Sequence, residues 1–244
     1  MDYQQHDPGF LPIWRCGETA MNATLKRALM VLITVLIPFF LMMTAIRILF
    51  TPAFVQLQYR APGFPEDPYG FTLEDRLHWS RVSLDYLLNN AGINYLGDQR
   101  LPDGSPLYNE RELSHMVDVK ILVQQMIRAW TALLVGLAGL GIWAWRGGWL
   151  SSFARALSNG GKLTLALIAL ILVFVAISFR QLFTYFHRLF FVGDTWLFNY
   201  SDTLIRLFPL PFWQNGFIAM GVMTILGAIA LIWVGRRWGR ATSN

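Results

Sequence analysis

The sequence predicts an all-α membrane protein: four transmembrane helices with a small extracytoplasmic α/β cap. Three observations carry that expectation. Four long runs are free of charge, lysine and arginine gather beside one end of each run, and two longer segments separate the opposite ends. Composition agrees. Of 244 residues, 55% are hydrophobic and 14% charged, where a soluble domain carries about 25% charged residues. Mean hydropathy is +0.41. The net charge of +5 follows membrane topology, and without a nucleic-acid-binding motif no nucleic-acid partner is expected. The single cysteine, Cys16, rules out an intrachain disulfide and a multi-thiolate metal site. It reads as an ordinary free thiol rather than a lipid attachment point. No signal peptide is expected, because the first apolar run is too long and lacks a cleavage site.

Taken in order, residues 1–27 are the expected cytoplasmic tail. The first span, 28–50, holds ALMVLITVLIPFFLMMTAI (28–46), where Pro38 is expected to kink the helix without ending it. The second, 121–145, centres on AWTALLVGLAGLGIWAW (129–145). The third, 163–182, opens with LTLALIALILVFVAISF, and the fourth, 214–235, contains GFIAMGVMTILGAIALIWVG (216–235). These runs have 17–20 residues, close to the ~20 that cross about 30 Å of hydrocarbon. Arg15, Lys26 and Arg27 precede the first span. Arg146, Arg155 and Lys162 lie in the segment 146–162, and Arg236, Arg237 and Arg240 in the tail 236–244. The positive-inside rule places both termini and the 146–162 loop in the cytoplasm, which leaves 51–120 and 183–213 outside.

The first outer segment, 51–120, is too long and patterned for a simple loop. PAFVQLQYR alternates apolar and polar side chains and predicts a short extended piece; FPEDPYG is a turn. TLEDRLHWSRVSLDYLLNNAG predicts an amphipathic helix, with Thr72 as N-cap, Asp75 at N3, and Gly92 as the stop. RLPDGSPLY predicts a small hairpin. NERELSHMVDVK (109–120) opens a helix capped by Asn109 that runs into the second span, and sets Glu112, His115 and Asp118 along one side.

The second outer segment is aromatic: 11 of the 31 residues from Phe183 to Trp213, more than an interfacial belt requires. His187 ends the third span, seven residues after Arg180 and so on its face, with Tyr185, Asp194 and Trp196 nearby. Ser201 or Asp202 can cap a short helix before Pro209. Of four histidines, His6 lies in the tail and His78 on the cap helix, whereas His115 and His187 are expected at one depth on the outer interface. Two imidazoles with carboxylates, arginines and aromatics around them suggest proton transfer on a lipid-borne substrate. The alternatives are a metal-dependent hydrolase, with His115, His187 and Asp118, Glu112 or Asp194 as ligands, and a non-catalytic lipid-binding or lipoprotein-binding protein. There is no HExxH for the first, and no GxSxG to support a serine hydrolase.

NERELSHMVDVK before the second span, FHRLFFVGDTW after the third, SDTLIRLFPLPFW before the fourth and the earlier DPYGFTLEDR together resemble the lipoprotein intramolecular transacylase (Lit) family. The resemblance covers nearly the whole chain from Lys26 on. It implies a multi-pass protein of the bacterial inner membrane, whose substrate is a diacylglyceryl-modified lipoprotein. The sn-2 acyl chain moves from glycerol oxygen to the α-amine of the N-terminal cysteine, leaving the lyso form. It also implies that His115 and His187 are the catalysts, and that no metal, nucleotide or acyl-CoA cofactor takes part. Arg180, or else Arg188, is then the candidate for the oxyanion or the substrate carbonyls, and Asp118 or Glu112 for orienting His115.

Overall fold

A computed structural model describes residues 22–175 and 178–241. Cys16 and most of the expected N-terminal tail lie outside the described residues. Among the described residues the chain forms nine helices: α1 (Ala23–Leu49), α2 (Pro52–Tyr59), α3 (Leu73–Leu88), α4 (Asn94–Gly97), α5 (Glu110–Arg146), α6 (Leu150–Val175), α7 (Phe179–Phe190), α8 (Thr203–Leu207) and α9 (Leu210–Ala241). Four of them, α1, α5, α6 and α9, are long and apolar enough to cross a membrane.

Lipid offers little hydrophobic drive between helices, so close approach at small residues has to hold them together. Gly160 on α6 leaves room for Ile37 of α1: a Cβ there would lie 2.5 Å from the Ile37 Cβ. A Cβ at Gly161 would lie 2.7 Å from the Ala228 carbonyl oxygen of α9, and Gly235 of α9 lies against the Ala154 carbonyl of α6. Ile33, Ile37, Phe153, Leu157 and Ala228 fill the seam. Val31, Val35, Ile218 and Leu226 point outward, as lipid-facing side chains do. α1 continues through Pro38.

At the opposite end lies a helical cap, and here the expected α/β character is wrong: the described residues contain no strand. PAFVQLQYR is α2. Pro52 at its first turn has φ already set for a helix, and Val55, Gln58 and Tyr59 bury at helical spacing, so the polar–apolar alternation misled because Gln58 faces inward. The expected hairpin is reduced to one isolated bridge, Arg100 with Pro106. Thr72 and Asp75 form a reciprocal capping box on α3. That helix stops at Leu88, before Gly92, where Lys120 Nζ donates to the Ala91 carbonyl at 2.6 Å and Gln124 Nε2 to that of Asn89 at 2.9 Å.

α5 has 37 residues, about 55 Å at 1.5 Å per residue. That is well beyond a ~30 Å bilayer core, so its first turns stand in the cap, where Met116 and Val123 pack with Tyr86, Leu87 and Leu96. Only Gly147–Trp149 separate α5 from α6, so most of the basic segment read as a loop is helical. At the far end of α6, Ser178 caps a new helix by accepting from the Gln181 amide. His187 therefore sits on the separate α7 and not at the end of a span.

Candidate active site

α5 and α7 bring two imidazoles together, although 72 residues separate them in sequence. His115 lies on the second turn of α5 and His187 on the third turn of α7. Their ring centroids are 6.1 Å apart with planes at 22°, and both are buried. Aromatic rings enclose the pair. Phe183 and Trp196 lie 4.1 and 4.9 Å from the His187 ring; Phe191 and Phe198 lie 4.9 and 5.3 Å from His115.

The two rings are held differently. His187 Nδ1 lies 2.8 Å from the Phe183 carbonyl. A carbonyl only accepts, so Nδ1 carries the hydrogen and Nε2 the basic lone pair. His115 Nδ1 is buried with no hydrogen-bond partner among the described residues. Neither ring lies in one of the four uncharged runs. His115 precedes the uncharged run 129–145 by 14 residues, about 21 Å of helix, and α7 is not a spanning helix. Burial, with His187 adding to it, pushes the His115 pKa down to about 4. Burial also lowers that of His187, against the opposing effect of its hydrogen bond to the Phe183 carbonyl. Both shifts disfavour the charged imidazolium.

The other expected site residues separate into two groups. Trp196 is in the enclosure. Glu112 lies three residues before His115 on α5 but is turned away: its carboxylate accepts from the Asn109 and Leu204 amides at 2.8 and 2.7 Å, and so does not orient His115. Asp118 is half-buried, while Arg180, Tyr185, Arg188 and Asp194 are exposed. Among the described residues, no hydrogen bond or ion pair joins any of these to either imidazole. No three His, Cys, Asp or Glu side chains among them gather as a group able to hold a metal.

Sequence reasoning missed Phe191 and Phe198, although Phe183, His187 and Phe191 at four-residue spacing marked a common face. It also missed the scaffold around α8. Asp67 of the DPYG turn pairs with Arg206 at 2.9 Å, and the guanidinium lies 3.4 Å over the Phe71 ring. The Tyr59 hydroxyl bridges Ser80 and the Leu207 carbonyl, and Thr203 donates to the Leu107 carbonyl. Burial pushes the Tyr59 phenol up to about 12, so it remains a donor. These bonds hold α8 against α3 and the start of α5, which fixes the chain on either side of the histidine pair.

Four helices of membrane-spanning length and a buried imidazole pair beside a helical cap are what an integral membrane enzyme would present. The model of the family described as lipoprotein intramolecular transacylase Lit matches residues 30–213, and the chain belongs to that family. It is an acyltransferase acting on lipoproteins. An uncharacterised protein of Aquifex aeolicus (strain VF5) is 28% identical over 213 residues, 86% of this chain and 94% of that one. The membrane-integral lipoprotein intramolecular transacylase Lit from Bacillus cereus has the same fold. Its solved structure superposes with a TM-score of 0.76 at 19% identity, covering 91% of this chain and 99% of that one. A variant of it with one histidine replaced by alanine gives 0.56, covering 90% and 96% at the same identity.

Proposed function

We propose that His115 and His187 catalyse O-to-N acyl transfer within a diacylglyceryl-modified lipoprotein. The sn-2 acyl chain leaves the glycerol oxygen for the α-amine of the N-terminal cysteine, and the lyso form results. The observation that carries this reading is the stacked, buried imidazole pair, one ring with Nε2 as its basic nitrogen and the other with an unpartnered Nδ1.

An α-amine has a pKa of roughly 7.7–8.0 and is largely protonated at neutral pH. The ammonium form first releases one proton to solvent, and His187 Nε2 takes a second from the free amine as its nitrogen attacks the ester carbonyl carbon. The neutral His115 donates a ring N–H to the oxygen on which negative charge develops. The tetrahedral adduct then collapses, the bond from carbon to glycerol oxygen breaks, and the His187 imidazolium delivers its proton to that oxygen. Base and proton are both returned, and one acyl group moves within one molecule, so no second substrate enters. General acid–base assistance of this kind is typically worth ~10²–10⁴-fold. The aromatic enclosure holds amine and ester in a cyclic near-attack geometry. Trp196 walls the reacting atoms, whereas Arg180, Tyr185, Asp118 and Asp194 contact the outer glyceryl and peptide parts of the substrate.

The basic residues at one end of the helices support a bacterial inner-membrane setting, with both termini cytoplasmic and the histidine pair facing outside. Mass spectrometry of a reporter lipoprotein from complemented cells tests the assignment. His115→Ala or His187→Ala lowers the lyso product at least about 100-fold with membrane insertion intact. His78→Ala, on the exposed face of α3, retains it. Wild-type product from either active-site variant refutes the mechanism.

A further inference from the structure

At the end of the bundle away from the histidine pair, the helices leave two adjoining hollows. One, of about 750 Å³, lies between α1 and α6; the other, of about 270 Å³, lies between α6 and α9. Arg155 and Asn159, one turn apart on α6, line both. Lys26 and Arg27 border the larger hollow, Lys162 and Arg236 the smaller. The three helices contain no aspartate or glutamate, and among the described residues no ion pair engages these five cations. Arg155 is steadied by donating to Ser152 Oγ at 2.9 Å. Met30, Val31 and Val35 of α1 continue the larger hollow as an apolar wall. Topology asks for basic residues near the helix ends; it does not ask them to line two adjoining hollows beside an apolar track.

We propose that this groove is a binding site for an anionic glycerophospholipid of the leaflet opposite the active site. Its phosphate sits between Arg155 and the flanking lysines and arginines, and an acyl chain lies along the α1 wall. The larger hollow falls within the ~300–1,000 Å³ of small-molecule sites, and basic pockets between membrane helices suit phosphate headgroups. The apolar track selects a lipid over free phosphate. Close packing at Gly160 brings α1 and α6 together just beyond the groove, so a lipid seated there lies across the seam that the glycine contacts close.

Native mass spectrometry of the full-length protein in mild detergent tests this, with dioleoyl phosphatidylglycerol and dioleoyl phosphatidylcholine offered together. The wild-type protein retains the anionic lipid preferentially. Arg155→Gln and Lys26→Gln, made separately, each weaken that preference about fivefold, while Arg155→Lys keeps most of it. Arg60→Gln, which removes an exposed cation at the cap end of the molecule, leaves it unchanged. Equal retention of the two lipids by the wild type overturns the proposal. So does an undiminished preference in both glutamine variants, or an equal loss in Arg60→Gln.

Discussion

Glu112 Oε1 accepts a hydrogen bond from the Leu204 amide at 2.7 Å, across 92 residues of sequence. Its other oxygen takes the Asn109 amide that opens α5. Burial raises the carboxyl pKa, opposed by those two backbone donors. One side chain thus caps α5 and ties α8 to it, one turn before His115. Glu112→Ala strands both amides, at about 1–3 kcal/mol each. The expected result is a lower unfolding temperature in detergent together with reduced lyso-lipoprotein formation. Glu112→Gln, which keeps one accepting oxygen, falls between. An unchanged unfolding temperature in the alanine variant would dismiss the clamp.

The Asp67–Arg206 pair is the second such tie, its carboxylate side chain only 1% exposed. Removing one partner leaves a buried charge alone, and Arg206→Ala should cost about 3–5 kcal/mol. Asp67→Ala combined with Arg206→Ala should cost clearly less than the sum of the single changes. Denaturation of the four proteins of that cycle gives the coupling; strict additivity would show that the pair does not act as a unit.

The depressed histidine pKa sets a pH dependence with a definite sign. Unfolded, His115 binds its proton near pH 6.5; folded, it does so only near pH 4. Between those values the unfolded chain holds more protons, so stability is lost as pH falls from about 6.5 toward 4. Thermal unfolding followed over that window should decline less steeply in His115→Phe than in the wild type. Parallel curves would mean that the ring is not kept neutral by its surroundings.

Helix contact in the bundle admits a sharper test. A methyl group at Gly235 would meet the Ala154 carbonyl oxygen and lie 2.8 Å from Ser158 Cβ, whereas one at Gly221 of the same helix meets nothing within 4 Å. Gly235→Ala should lose about 1–3 kcal/mol by overpacking, and Gly221→Ala should be neutral. Equal unfolding temperatures for the two variants would count against close α6–α9 packing.

Much of the architecture was legible because its signals were local. Uncharged runs mark helices, and Thr72 with Asp75, like Asn109 with Glu112, states a helix start within four residues. The helical character of Pro52–Tyr59 in the cap was not legible, because Gln58 is buried by tertiary packing and so breaks the rule by which period is read. Nor could composition show that the third apolar run hands over to a separate α7. The two histidines stood out by residue type and position. Their surroundings did not: Phe198 reaches His115 from a loop, and Glu112 looks like a neighbour of the ring until the Leu204 amide shows which way it points. Depth along a helix can be read from spacing, but rotation toward a distant partner cannot.

The bond from His187 to the Phe183 carbonyl spans four residues of one short helix. Which ring nitrogen carries the hydrogen is thus decided within a single turn, by a peptide group that every helix possesses. Tertiary assembly has only to deliver that pre-oriented ring to its counterpart, so chemical identity and spatial placement are settled by separate parts of the polypeptide.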